Sequence, residues 1–224
     1  MIEYFNEDCM VGMARYPDKY FDLAIVDPPY GIGECGGDKK RGRKKHNYRK
    51  IVVHEKKNWD NKKPNDEYFD ELKRVSKNQI IWGANYFVEN IDSHMGWVFW
   101  NKLIGGDFSD GELAYTSFDR ALRMFTYSYH GDTRGGHTRI HPTQKPIALY
   151  KWLLTNYAKT GDKILDTHVG SASSLIACHD MGFDAVGFEL DPDYYAKSKQ
   201  RLEDFMRQPR IDAIEQHPLE QLML

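Results

Sequence analysis

The chain has 224 residues, 41% hydrophobic and 29% charged, a balance near that of soluble globular proteins and enough sequence for one sizeable core. No apolar run reaches the roughly 18 residues of a membrane-spanning helix, and residues 1–5 carry no basic region followed by an apolar stretch, so the reading is a cytoplasmic protein with no membrane partner. The formal net charge of −2 hides an asymmetry: residues 38–63 hold twelve Lys/Arg against Asp38, Glu55 and Asp60, a local +9 on a body of −11, which suggests a polyanionic partner.

In chain order, 2–6 reads as a short strand, 9–15 as a short helix and 22–26 as a buried strand ending at Asp27-Pro28-Pro29-Tyr30, where consecutive prolines forbid further pairing. The stretch 31–63 is too polar and charged to form core and reads as a basic insertion. A helix follows over 65–75, with Tyr68, Phe69, Leu72 and Val75 on one face. Segments 79–83, 97–100, 112–117 and 122–128 read as strands, the last two joined by residues 118–121 as a hairpin connection. Residues 102–111 and 130–145 are polar loops. Then come a helix over 146–158, a strand at 163–166, a helix over 172–181 and a strand at 185–190. A last helix starts at Asp191-Pro192, a good N-cap followed by a proline suited to the first helical position. This rhythm implies one domain over 1–224, built on a parallel sheet with helices on both faces. The three cysteines, Cys9, Cys35 and Cys178, lack paired spacing and read as thiols in a reducing compartment.

Residues 163–174 form a strand, a small-residue turn and a helix start, a place where backbone comes close to a ligand at the carboxyl end of a strand. The next strand ends at Glu189, about 20 residues after the turn, where a ribose-binding carboxylate belongs. The turn lacks the Gly-x-Gly-x-x-Gly pattern and any phosphate-holding Lys. Asp166 at its mouth repels a pyrophosphate but suits a cationic, phosphate-free cofactor such as S-adenosylmethionine. Taken alone, the pattern also fits a turn closed by Gly170 beside a surface Glu189.

The tetrapeptide is chemically more pointed. The N6 lone pair of adenine is delocalised into the ring, so an enzyme must accept the amine hydrogens while aiming the nitrogen at an electrophilic methyl. The Asp27 carboxylate and the Pro28 carbonyl supply two acceptors, the Pro28-Pro29 pair stiffens the loop, and Tyr30 offers a flat face to a base swung out of its stack. The plainer alternative is a strand-ending turn.

With the order Asp27-Pro28-Pro29-Tyr30 first and the cofactor turn later, the chain resembles the beta (permuted) class of DNA amino-methyltransferases, of the adenine-N6 type. The matching pieces are 21–32, His141-Pro142-Thr143-Gln144-Lys145-Pro146, 166–173 and 187–191. The resemblance implies a Rossmann-like α/β fold with a mixed, mostly parallel sheet. It also implies Asp166, Gly170 and Ser171 beside the methionine part of S-adenosylmethionine, Glu189 on its ribose hydroxyls and Asp8 facing its adenine. The 141–146 segment then leads into the helix closing the methionine pocket. The turn departs from the family's usual Asp-Pro-Phe-x-Gly-Ser-Gly, having Asp166-Thr167-His168-Val169-Gly170-Ser171-Ala172 instead.

Methylation at cytosine C5 needs a cysteine, typically after a proline, whereas Cys9, Cys35 and Cys178 follow Asp8, Glu34 and Ala177. The Asp form of the tetrapeptide resembles adenine-N6 enzymes more than cytosine-N4 enzymes, which often carry Ser. Cytosine-N4 transfer is the alternative, and a non-catalytic DNA-binding protein with a decayed turn is a second. A nicotinamide enzyme is disfavoured by the missing phosphate-binding glycines. DNA phosphates would meet Lys39, Lys40, Arg41, Arg43, Lys44, Lys45, Arg49 and Lys50 of the arm, with Arg134 and Arg139 in the loops used for target recognition. The partner is DNA, in a restriction-modification setting or alone, with a homodimer possible. His137, His141 and His168 have no metal-ligand spacing, and the reaction needs no metal. Trp82, Trp97 and Trp100 read as core.

Overall fold

The computed structural model describes residues 1–33, 35–36, 55–104, 109–129 and 139–208. Eight strands form one sheet: β1 (Ile2–Phe5), β2 (Phe21–Val26), β3 (Ser76–Trp82), β4 (Trp97–Asn101), β5 (Gly111–Thr116), β6 (Arg123–Thr126), β7 (Lys163–Asp166) and β8 (Asp184–Phe188). Their order is β1-β8-β7-β2-β3-β5-β4-β6. Every neighbouring pair is parallel except the two made by β5, with β3 and with β4. The mixed, mostly parallel sheet expected from the sequence is therefore present, with β5 running against the rest.

Side chains along β2 alternate between the two faces, as a strand requires. Leu23 and Ile25 join a core with Ile80, Trp82 and Trp100, covered by α3 (Ile147–Tyr157), α4 (Ser173–Met181) and Leu202 of α5 (Pro192–Met206). Ala24 and Val26 face the other core, with Phe188, Met13 of α1 (Cys9–Met13) and Tyr68, Phe69, Leu72 and Val75 of α2 (Asp66–Val75). At about 1.5–3 kcal/mol for each large buried apolar side chain, these two layers hold the sheet. The local signals act as expected at the helix starts: the Asn65 side chain accepts from Tyr68 N–H, and Asp191 caps α5 ahead of Pro192. Gly12 has its reason in packing, since a Cβ there would lie 2.3 Å from the Phe188 ring.

Three expectations need correction. Residues 118–121 are no hairpin connection, because β6 does not pair with β5; it crosses to the far side of β4 and runs parallel to it, Val98 opposite Arg123. β3 starts at Ser76 because α2 runs straight into it, Ser76 being both C-cap and first strand residue. The 31–63 stretch is not wholly outside the core, since Cys35 and Asp60 are each 2% exposed. Trp82 and Trp100 are fully buried, and Trp97 is half-buried against the edge of Tyr115. The three cysteines are free thiols, and no helix among the described residues is long and apolar enough to cross a membrane.

Candidate active site

The strand order reverses its winding between β7 and β2: from β7 the chain crosses to β8 on one side, and from β2 to β3 on the other. Open α/β sheets leave a crevice at the carboxyl ends of the strands at such a point. Here both motifs meet it. Leu23 pairs with Ile164 and Ala24 with Leu165, so the residues following β2, Asp27 to Tyr30, emerge beside Asp166, the last residue of β7, and the turn Thr167 to Ser171 after it.

On the β2 side the Asp27 carboxylate is held at both oxygens. Tyr30 Oη donates to Oδ1 at 2.6 Å and Lys145 Nζ donates to Oδ2 at 2.5 Å. Only 16% of the Asp27 side chain is exposed, and burial pushes its carboxyl above the usual range while Lys145 pulls the other way. Tyr30 does not present a bare ring: Tyr86 stacks on it with centroids 5.1 Å apart, and the backbone of Gly83 fills the space beside it. A Cβ at Gly83 would stand 2.1 Å from Tyr30 Cε1, and φ there is +65°, so glycine is needed twice over. The Asp60 carboxylate accepts from Gly31 N–H at 2.9 Å, and its carbonyl accepts from Gly33 N–H at 3.0 Å. The far end of the basic stretch thereby fixes the loop that follows the tetrapeptide.

On the β7 side, Asp166 accepts from the Ser174 hydroxyl and from His168 N–H at 3.0 Å. Burial pushes its carboxyl up to about 7. Glu189 accepts from Gly170 N–H at 2.8 Å through one oxygen and from Asp191 N–H at 2.9 Å through the other, and burial raises it too. It braces the turn, and each oxygen keeps a further acceptor lone pair. Ser171 is buried, with its carbonyl accepting from Arg201. The departures from the family's turn are absorbed locally. Thr167 Oγ1 lies 2.7 Å from the Tyr68 hydroxyl and 2.9 Å from His168 Nδ1. Burial lowers the His168 imidazole to about 4, leaving it neutral near pH 7. Gly170 at φ +55° and Ala172 at φ +60° both take the left-handed conformation, which for alanine costs about 1 kcal/mol. Asp8 is exposed and caps α1, accepting from Met10 N–H at 2.7 Å.

Of the expected phosphate contacts, Lys39, Lys40, Arg41, Arg43, Lys44, Lys45, Arg49, Lys50 and Arg134 lie outside the described residues, as does His137. Arg139 turns onto the protein, its guanidinium 3.5 Å from the Tyr129 ring centroid and donating to the Tyr129 carbonyl. Lys102, in one of the loops given to target recognition, is paired with Glu112 of β5. Sequence reasoning placed Lys145 in the 141–146 segment but not on Asp27, and gave Glu112, Trp59 and Asp60 no place in the site. Trp59 packs 5.1 Å from the His141 ring, which packs 4.4 Å from Tyr194, and Lys57 pairs with Asp191 and Asp193 at the start of α5. For Trp59 and Asp60 the available signal was a tryptophan and an aspartate inside a run otherwise made of lysines and asparagines. Among the described residues no group of three His, Cys, Asp or Glu is arranged to hold a metal.

The N6/N4 methyltransferase family model, described as DNA methylase, matches residues 81–200. The chain is 35% identical to the type II methyltransferase M.HpaI of Haemophilus parainfluenzae over 236 residues, 86% of this chain and 71% of that one. Among solved structures, the M1.HpyAVI–SAM complex superposes with a TM-score of 0.59 at 17% identity, covering 90% of this chain and 99% of that one. The cytosine-N4-specific PvuII DNA methyltransferase gives 0.58 at 12%, covering 91% and 90%. At these identities the two structures speak to fold, and the fold is Rossmann-like, of the methyltransferase kind.

Proposed function

The chain belongs to the N6/N4 family of DNA methylases, and from that premise we propose that it transfers the methyl group of S-adenosylmethionine to the exocyclic N6 amine of adenine at specific sites in DNA. The observation that carries this reading is the shared crevice: the tetrapeptide and the cofactor turn emerge from adjacent strands at the switch point of the sheet.

The residues fit the cofactor on grounds of charge and backbone. Asp166 is a buried carboxylate with no cationic partner among the described residues, which suits a ligand bearing positive charge. Gly170 and Ser171 offer close-lying backbone beside it, Glu189 keeps acceptor capacity for ribose hydroxyls, and Asp8, near enough to His168 to act on its charge, is the group given to the adenine. When bound, S-adenosylmethionine supplies an electrophilic methyl on a sulfonium. Asp27 and the Pro28 carbonyl accept the amine hydrogens, orient the nitrogen lone pair toward the cofactor side and stabilise the positive charge that grows on nitrogen. Tyr30 serves by holding the Asp27 carboxylate while Tyr86 covers its ring. The basic arm and Arg134 grip phosphate while the base leaves its stack; Arg139 joins them only by leaving Tyr129.

The preference for adenine rests on Asp27 in the tetrapeptide. The same fold occurs in the cytosine-N4-specific PvuII enzyme, so cytosine-N4 transfer is the second reading. The test of the acceptor role is Asp27→Ala. Radiolabelled methyl transfer to DNA is expected to fall by about 1,000-fold or more, with cofactor affinity by calorimetry changed less than about threefold. Turnover at the wild-type rate would refute the role.

A further inference from the structure

Lys145 stands just before the N-cap of α3 and is 3% exposed. Its ammonium meets groups from two other parts of the chain: Asp27 Oδ2 at 2.5 Å and Tyr30 Oη at 3.3 Å after β2, and Glu112 Oε2 at 3.0 Å on β5. Glu112 Oε2 is buried and accepts no hydrogen bond of good geometry, so the lysine's charge is what faces it. Glu112 Oε1 pairs with Lys102, which lies 5.4 Å from the Trp100 ring centroid and 5.5 Å from that of Tyr129. Trp82 lies beneath, its ring centroid 5.3 Å from Lys145 Nζ. Charges thus alternate along a row that starts at the crevice: Asp27, Lys145, Glu112, Lys102.

This row addresses a chemical need. A protonated carboxyl turns one oxygen from acceptor into donor and no longer meets an amine hydrogen there, and a carboxyl this enclosed tends to take up a proton. A rotating carboxylate would also lose the amine. With Lys145 on one oxygen and Tyr30 on the other, Asp27 keeps its charge and its plane, and each oxygen retains a free lone pair.

We propose that Lys145 is a positioning residue for methyl transfer: it holds the Asp27 carboxylate ionised and fixed in orientation for the target amine, with Glu112 and Lys102 buttressing the ammonium from behind. This rests on the reading of Asp27 as the amine acceptor. Burial leaves the Asp27 carboxyl above the usual range, and Lys145 is the cation that pulls it back. Burial works against the Lys145 charge, yet Asp27 and Glu112 hold its ammonium above the ordinary lysine value. Burial also pushes Glu112 up, but Lys145 and Lys102 together bring it below the usual carboxylate range. The titratable or charged groups facing the pair are Tyr30 after β2, Tyr68 on α2, Glu112 on β5, Lys102 after β4, Tyr150 on α3 and Asp166 on β7.

The test uses the full chain with Lys145→Met and the double variant Lys145→Met/Glu112→Gln, which removes a buried cation together with a buried anion and so keeps the cluster's net charge. kcat is followed against pH at saturating DNA and cofactor, so that titration of Asp166 in cofactor binding drops out. The Asp27 carboxyl is followed by carbon-13 NMR, assigned with Asp27→Asn. For Lys145→Met, kcat is expected to fall about 100-fold with cofactor Kd within about threefold. The acid limb of kcat and the Asp27 titration should both move up by about one pH unit or more. The double variant should fold and bind cofactor like the wild type yet stay at least about tenfold slow. Wild-type kcat in either variant, or an Asp27 titration that does not move in Lys145→Met, would overturn the proposal. If the wild-type chain transfers no methyl to DNA, the functional reading fails while the Asp27 titration still decides whether Lys145 holds it.

Discussion

Two carboxylates stand at the ends of neighbouring strands in the same crevice, and they are treated in opposite ways. Asp27 is bound by an ammonium and a phenol, with a second ion pair behind the first. Asp166 has a hydroxyl and a backbone N–H but no cation among the described residues, and burial pushes it up to about 7. Desolvation raises both carboxyls; among the described residues only Asp27 has a cation pulling the other way. The difference teaches what each side is prepared for. An acceptor for a neutral amine has to carry its charge before the base arrives, whereas a carboxylate meant for a cationic cofactor can leave its compensation to the ligand.

The comparison breaks most visibly at Asp166. Asp166→Asn is expected to weaken S-adenosylmethionine about thirtyfold, roughly 2 kcal/mol for a charge-assisted contact, as measured by calorimetry. Because a cation favours the ionised form, wild-type affinity should rise as pH climbs through about 7 and fall below it. The Asn variant should lose that dependence, as should wild-type binding of 5′-methylthioadenosine, which has neither sulfonium nor ammonium. A flat profile for the wild type would mean that the two carboxylates are not different in kind. On the other side, Gly83→Ala drives a methyl into the Tyr30 ring at a φ of +65°, loosening one of the two holds on Asp27. It should lower kcat about tenfold while leaving cofactor affinity alone; an effect on cofactor binding instead would put Tyr30 on the wrong side of the crevice. The smallest effect is the control. Asn65→Ala removes the side-chain cap of α2, whose Tyr68 reaches the turn only through its hydroxyl on Thr167, and should cost about 1 kcal/mol of stability in urea unfolding with kcat and cofactor affinity within about twofold.

What the sequence made legible followed from local rules. The apolar run within 22–26, the Asp191-Pro192 helix start and the turn at 166–172 each depend on a few consecutive residues, and each stands where expected. The β5–β6 hairpin failed because strand neighbours in space are set by the whole sheet: nothing in 118–121 shows that β4 comes between. Tyr30 could be numbered as a site residue, but Tyr86 stacking on it comes from the short 3-10 turn that follows β3. The roles of Lys145 and Glu112 were illegible for a different reason. Lys145 stood only as part of the 141–146 match, given to the cofactor side, and Glu112 only as a strand residue; the tertiary fold alone sets them against each other and against Asp27. The basic stretch was half legible, its charge plain, its anchoring through Trp59 and Asp60 hidden by that same charge.

The most direct measurement is mass spectrometry of nucleosides from DNA incubated with the purified chain and S-adenosylmethionine bearing a trideuterated methyl. Trideuterated N6-methyladenine, present with the wild-type chain and absent with Asp27→Ala, is the predicted result. Label on the N4 amine of cytosine, or no label in DNA at all, would contradict the account.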